Sequence, residues 1–163
     1  MFDPTTLVGF HTWLSLIAIA AGFPVAAAML DGRISPRWNG IYLSTAIATS
    51  ATGFAFPFTG VLPSHIFGVI SLALLLPAGY GLYVKRLEGS WRRSYAIATM
   101  IALYLLVFVA VVQAFLKAPA LQALAPTQTE PPFAIAQAVL LAIFAVLTWL
   151  AQRRFAAGRS MTA

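Results

Sequence analysis

Cysteine is absent and charge is scarce. No cysteine in 163 residues excludes disulfides, thiolate zinc sites and thiol-ligated iron–sulfur clusters. Lys and Arg number 10, Asp and Glu four, together 9% of the chain, against about 25% in a soluble domain. So few polar groups cannot coat a folded chain of this size, which excludes an ordinary soluble enzyme and a disordered chain. There is no phosphate loop, no Ser-His-Asp order and no pair of carboxylates, which argues against a hydrolase or phosphotransferase. What is present in quantity is apolar: 61% of residues are hydrophobic, the composition of an integral membrane protein. The net charge of +6 does not predict nucleic acid as a partner, because the basic residues punctuate apolar runs and build no basic face. The lipid bilayer is the expected partner, with a homo-oligomer or a larger membrane complex as possible settings.

Uncharged runs at 4–30, 40–84, 94–116 and 131–152 set the spans, since a helix needs roughly 20 residues to cross about 30 Å of hydrocarbon. The long run is broken by Phe56-Pro57-Phe58-Thr59-Gly60-Val61-Leu62-Pro63-Ser64, a turn signature. The expected fold is therefore all-α: one transmembrane domain over 1–163, with five helices at about 7–30, 41–57, 64–84, 94–116 and 133–152. The first run ends in Asp31-Gly32-Arg33, not in a small-residue cleavage site, and no basic segment precedes it. It reads as a retained helix and not as a signal peptide. Segments 31–40, 85–93 and the C-terminal tail hold nine of the ten basic residues, leaving only Lys117 opposite. The positive-inside rule then predicts an outer N-terminus, a cytoplasmic C-terminus and a multi-pass inner-membrane location. The longest outer loop, 117–132, has room for a short interfacial helix at Pro119–Ala125 and for folding over the helix ends as a lid.

Helices 1–2 and 3–4 read as one hairpin used twice. His11 and His65 each open a helix, Pro24 and Pro77 follow, and Trp38/Tyr42 and Trp91/Tyr95 repeat a spacing of four. Ala46-Ile47-Ala48-Thr49 matches Ala96-Ile97-Ala98-Thr99 in a shifted register. Interface belts and alanine-rich packing give the same residues without duplication.

Ionisable residues within spans are rare and functional by default. Here they are His11 and His65, with Gln113 and Gln137 at a similar depth on two other helices. Gly68, three residues after His65, permits close approach, and Phe54, Phe56, Phe58, Phe67, Phe115 and Trp13 surround the level. This is an expected lining for a flat cofactor. Two imidazoles can ligate one iron of haem b, or hydrogen-bond a quinone; only in the haem case are His11 and His65 metal ligands. A bare metal would lack carboxylates nearby. The bland alternative is that both histidines bond neighbouring helices or interfacial water, and a substrate or proton-linked role also stays open. Tyr42, Ala46, Thr49 and Gly53 read as a packing stripe on helix 2.

The segments Thr52–Phe58, Leu62–His65, Val112–Lys117 and Leu124–Phe133 resemble a group of small bacterial inner-membrane proteins, a resemblance that brings no activity with it. In outline the first four helices are similar to small b-type cytochrome bundles, an analogy of architecture only. The sequence thus supports a cofactor- or ligand-binding membrane protein, with a small-solute transporter component or a non-catalytic accessory subunit as the competing readings.

Overall fold

A computed structural model describes residues 3–56 and 63–157. Among these the regular structure is entirely helical. Helix α1 spans Leu7–Leu30, α2 Pro36–Thr52 with a 3-10 turn at Gly53–Ala55, α3 Pro63–Tyr83, α4 Trp91–Lys117, α5 Pro119–Leu124 and α6 Pro131–Ala157. The expected turn through Pro57–Leu62 lies outside the described residues, as do Phe58 and Arg159.

Local chemistry explains the ends. Thr6 caps α1 by accepting from the Gly9 amide at 3.1 Å. At the other end Gly32 adopts φ +70°, its N–H donates to Met29 O, and the Arg33 N–H donates to Ala28 O. This crossed pair ends the helix and needs a residue at ease in the left-handed region. Pro36 opens α2, Pro119 opens α5 and Pro131 opens α6, all at first-turn positions that have no carbonyl to bond. Charge proves a poor marker of helix ends. α2 starts at Pro36 and not at 41, α4 takes in Arg92 and Arg93, and α6 runs past Arg153 and Arg154. These helices continue beyond the apolar stretch that defines a span.

Among the described residues four helices are long and apolar enough to cross a membrane: α1, α3, α4 and α6. α2 is not among them, having 17 residues with Asn39, Ser44, Thr45, Thr49, Ser50 and Thr52 along it. The exterior agrees with a lipid setting. Ile66, Val69 and Leu76 on α3, and Ile135, Val139, Ile143 and Val146 on α6, are all more than half exposed.

The arginines mark one end of the bundle. Arg92 is buried; it donates through Nε to Phe155 O, through Nη2 to Gly32 O at 3.3 Å, and stacks 4.3 Å over the Phe155 ring. Arg154 donates to Leu30 O and Arg93 to Gln152 Oε1. The end of α1, the start of α4 and the end of α6 therefore meet at this basic end. α2 begins there too and returns to the distal end, where Thr52 meets His11.

The core is built from α1, α2, α3 and α4 in a ring, with α6 packed on α4 and α1. Near the basic end α2 and α4 are tied across the middle. Tyr42 donates to Thr99 O at 3.1 Å, and Tyr95 donates to Asn39 Oδ1. Both tyrosines are fully buried, so each hydroxyl takes a partner in the opposite helix. The buried residues of α2, namely Asn39, Tyr42, Leu43, Ala46, Thr49 and Ser50, each have a buried counterpart 53 positions on. Those counterparts are Arg92, Tyr95, Ala96, Thr99, Ala102 and Leu103. Ala18, Gly22, Val25 and Ala28 of α1 stand in the same relation to Ser71, Leu75, Ala78 and Gly81 of α3.

Candidate functional site

α1 and α4 approach closely at Gly22. A Cβ there would fall 2.4 Å from Leu103 Cδ1 and 3.2 Å from the Tyr42 ring, so a larger residue would have to displace the Leu103 side chain. Towards the distal end a cavity of about 650 Å³ lies between the faces of the two helices, backed by α2 and α3. α1 lines it from Val8 to Ile19 and α4 from Leu105 to Lys117; Thr49, Ser50, Gly53 and Phe56 come from the α2 side, and Phe67, Gly68 and Ser71 from α3. The volume is in the range of small-molecule pockets, roughly 300–1,000 Å³, and the lining has their usual character, apolar with a few polar groups.

Most of the lining hydroxyls are spoken for. Thr12 donates to Val8 O, Ser15 to His11 O and Ser50 to Ala46 O, all at 2.7–2.9 Å. His11 Nδ1 lies 2.9 Å from Thr52 Oγ1, and its ring meets Phe56 edge-on at 5.2 Å. A Cβ on Gly53 would stand 3.8 Å from His11 Cε1, so the ring rests over the glycine turn that follows α2. Thr49 is buried, and its Oγ1 has no hydrogen-bonding partner among the described residues.

Of the residues singled out from the sequence, His11, Gly68 and Gln113 line this cavity. Gly68 serves close packing as well, since a Cβ there would meet the Phe54 ring at 3.1 Å. His65 is buried and is not among the described lining residues; its ring lies 5.9 Å from that of Phe54. Gln137 belongs to another interface and donates to Phe108 O at 3.4 Å, where α6 meets α4. The two histidines also differ in register. His65 follows His11 by 54 positions, one more than the 53 that pairs the buried faces. One residue turns a side chain by about 100° around a helix, and at the common spacing His65 pairs with Thr12. Phe56 and Phe67 join the cavity wall, whereas Phe115 meets Phe133 edge-on and Trp13 is 45% exposed.

Thr49 and Thr52 are the residues that sequence reasoning placed in a packing stripe or left without a role. The available signal was their density: polar residues on a helix inside an apolar bundle. No group of three or more His, Asp or Glu residues able to hold a metal ion occurs among the described residues.

The loop after α4 is ordered by Glu130. Its Oε1 accepts from the Thr127 N–H and hydroxyl, and its Oε2 from the Thr129 N–H. Gln128, at φ +60°, donates back to Val112 O at 3.0 Å. α5 packs on α4, and Lys117 and Ala118 form part of the cavity wall. No family model, curated protein or solved structure matches the chain.

Proposed function

We propose that this chain is a five-span membrane module that binds a small, largely apolar molecule with a polar head in the cavity between α1 and α4. The observation that carries this reading is the pairing of a 650 Å³ cavity with two polar residues of its lining, His11 and Thr49, the second with its hydroxyl unpartnered among the described residues. A quinone-class molecule suits that wall better than haem b. Bis-histidine ligation needs both imidazoles on one space, and only His11 is among the described lining residues. α1 and α3 continue as helices through Pro24 and Pro77, which favours a static binding bundle over a transporter with broken spans.

α2 completes the fifth span in this reading. At about 1.5 Å per residue its 17 residues cover about 25 Å, and the 3-10 turn adds to this. The clustering of Arg33, Arg92, Arg93, Arg153 and Arg154 at one end supports a cytoplasmic C-terminus in the inner membrane. The matching buried faces support a duplication of α1–α2 as α3–α4 about an axis along the membrane normal. A reporter active only in the cytoplasm should work when fused after Arg154 and be silent after Gln122; the opposite pattern would sink the topology.

Ligand binding is tested on protein purified in mild detergent. Solvent extraction followed by chromatography should release a quinone, and the His11→Ala protein should carry much less while still inserting in the membrane. A Soret band in the purified protein would instead make haem the ligand.

A further inference from the structure

The hydrogen-bond pattern around the cavity assigns a chemistry to the ligand's head, on the premise that the cavity binds a ligand at all. The reasoning begins with the hydroxyls of α2. Thr45 donates to Ile41 O, Ser50 to Ala46 O and Thr52 to Ala48 O, at 2.6–2.9 Å, and Ser44 donates to Ile41 O. These are the usual back-bonds of hydroxyl residues in membrane helices. Thr49 breaks the pattern: the residue lines the cavity, yet its Oγ1 makes no such bond and is itself closed off beneath the wall. A buried hydroxyl without a partner is costly, and a turn about the Thr49 Cα–Cβ bond into the cavity would let a ligand atom relieve it.

Thr52 then fixes the state of His11. The Thr52 hydroxyl has a single hydrogen, which faces the carbonyls of Ala48 at 2.8 Å and Thr49 at 3.1 Å. Its lone pairs are left for His11 Nδ1 at 2.9 Å. With the hydroxyl so turned the imidazole donates from Nδ1, and a neutral ring then keeps its acceptor lone pair on Nε2. The ring stands over Gly53, four residues and about one helical turn from Thr49. With Nε2 turned to the cavity that His11 lines and the Thr49 side chain rotated, the wall offers an acceptor at His11 and a hydroxyl, able to donate or accept, at Thr49.

We infer that the cavity selects a hydroxyl-bearing head, of the phenol or hydroquinone class, over the corresponding carbonyl or ether. A hydroxyl donates to His11 Nε2 and accepts from Thr49. A quinone carbonyl or a methyl ether has no hydrogen to give and leaves the imidazole lone pair facing an acceptor.

The experiment is calorimetric titration of the full chain in dodecyl maltoside with three probes: a decyl-substituted benzoquinol, its quinone, and the bis-O-methyl ether of the quinol. The quinol should bind roughly three- to tenfold more tightly than either, the value of one net hydrogen bond. His11→Phe should erase that preference, and His11→Gln, which offers a carbonyl acceptor, should restore part of it. Thr49→Val should weaken the quinol and Thr49→Ser should not. Nitrogen-15 shifts of His11 in the unliganded protein should show Nδ1 protonated. Equal binding of all three probes, tighter binding of the quinone, or an Nε2-protonated tautomer would overturn the assignment while leaving the binding site standing. Binding of none of the three would remove the site itself.

Discussion

Replacing Arg92 with methionine should loosen the whole basic end of the bundle. The side chain is 8% exposed and serves two helix ends at once, Phe155 O at the close of α6 and Gly32 O just beyond α1. A hydrogen bond from a charged donor contributes about 1.5–3 kcal/mol net. The 3.3 Å bond to Gly32 belongs at the low end of that range. Stacking on the Phe155 ring adds about 0.5–2 kcal/mol. Methionine keeps much of the stem packing but none of the donors, and interfacial water recovers some of the freed carbonyls. The net loss expected is about 2–4 kcal/mol, a large part of a typical stability of about 5–15 kcal/mol. Arg92→Lys keeps the charge but has no planar fork to span both carbonyls, and should lose about half as much. Arg93, exposed and bonded only to Gln152 Oε1 in the described residues, is the control, and Arg93→Met should stay within about 0.5 kcal/mol. Unfolding in mixed micelles by titration with dodecyl sulfate, followed by circular dichroism, gives the comparison. An Arg92→Met protein within about 0.5 kcal/mol of the parent would refute the idea that this residue joins the helix ends.

Three further outcomes are open to the same kind of measurement. Tyr95→Phe should cost about 1–3 kcal/mol and Tyr42→Phe about 0.5–1.5 kcal/mol, because the first strands the buried Asn39 Oδ1 while the second frees only a carbonyl in the α4 backbone; equal costs would contradict this. Gly22→Val should cost about 1–3 kcal/mol by overpacking Leu103, and Leu103→Ala should return part of it in a double-mutant cycle; additive costs would mean the two residues do not collide. Desolvation raises the Glu130 carboxyl, but bonds from its own backbone and from Thr127 and Thr129 outweigh it and hold the group below its ordinary value of 4.5. The loop order it contributes should thus be complete above about that pH and be lost as pH falls through the lowered value. The Thr127 and Thr129 amide shifts should titrate there in the parent and not in Glu130→Gln.

How much of this was legible in the sequence depends on whether the signal was local. The bounds of α1 came out at Leu7 and Leu30 as expected, because Thr6 and Asp31-Gly32 act on their immediate neighbours. The short helix in loop 117–132 followed from Pro119 in the same way. Other bounds slipped where Arg37, Arg92 and Arg153 were taken to end helices, since a membrane helix can carry its hydrogen bonds on into the headgroup region. The cavity was half visible: His11, Gly68 and Gln113 were singled out, but Thr49 was set down to packing. Its difference from Ser50 is whether the hydroxyl bonds its own helix, which is a matter of rotamer and not of residue type. The single-residue discrepancy between the histidine spacing and the proline spacing was present in the sequence. Its meaning depended on which faces were buried, and that is a tertiary fact.

α2 carries a consequence for how the chain enters the membrane. On the five-span reading its 17 residues are only just long enough and too polar to partition alone from the insertion channel into lipid. The link to α1 is only the stretch 31–35, so the two helices can leave the channel together as a hairpin. α2 then travels with most of its hydroxyls already bonded to its own carbonyls, and the His11–Thr52 bond closes the far end of the pair. His11 would be set in place before α3 and α4 are synthesised. Damage at Thr52 should therefore appear first as less protein in the membrane, and only afterwards as weaker binding in the protein that survives.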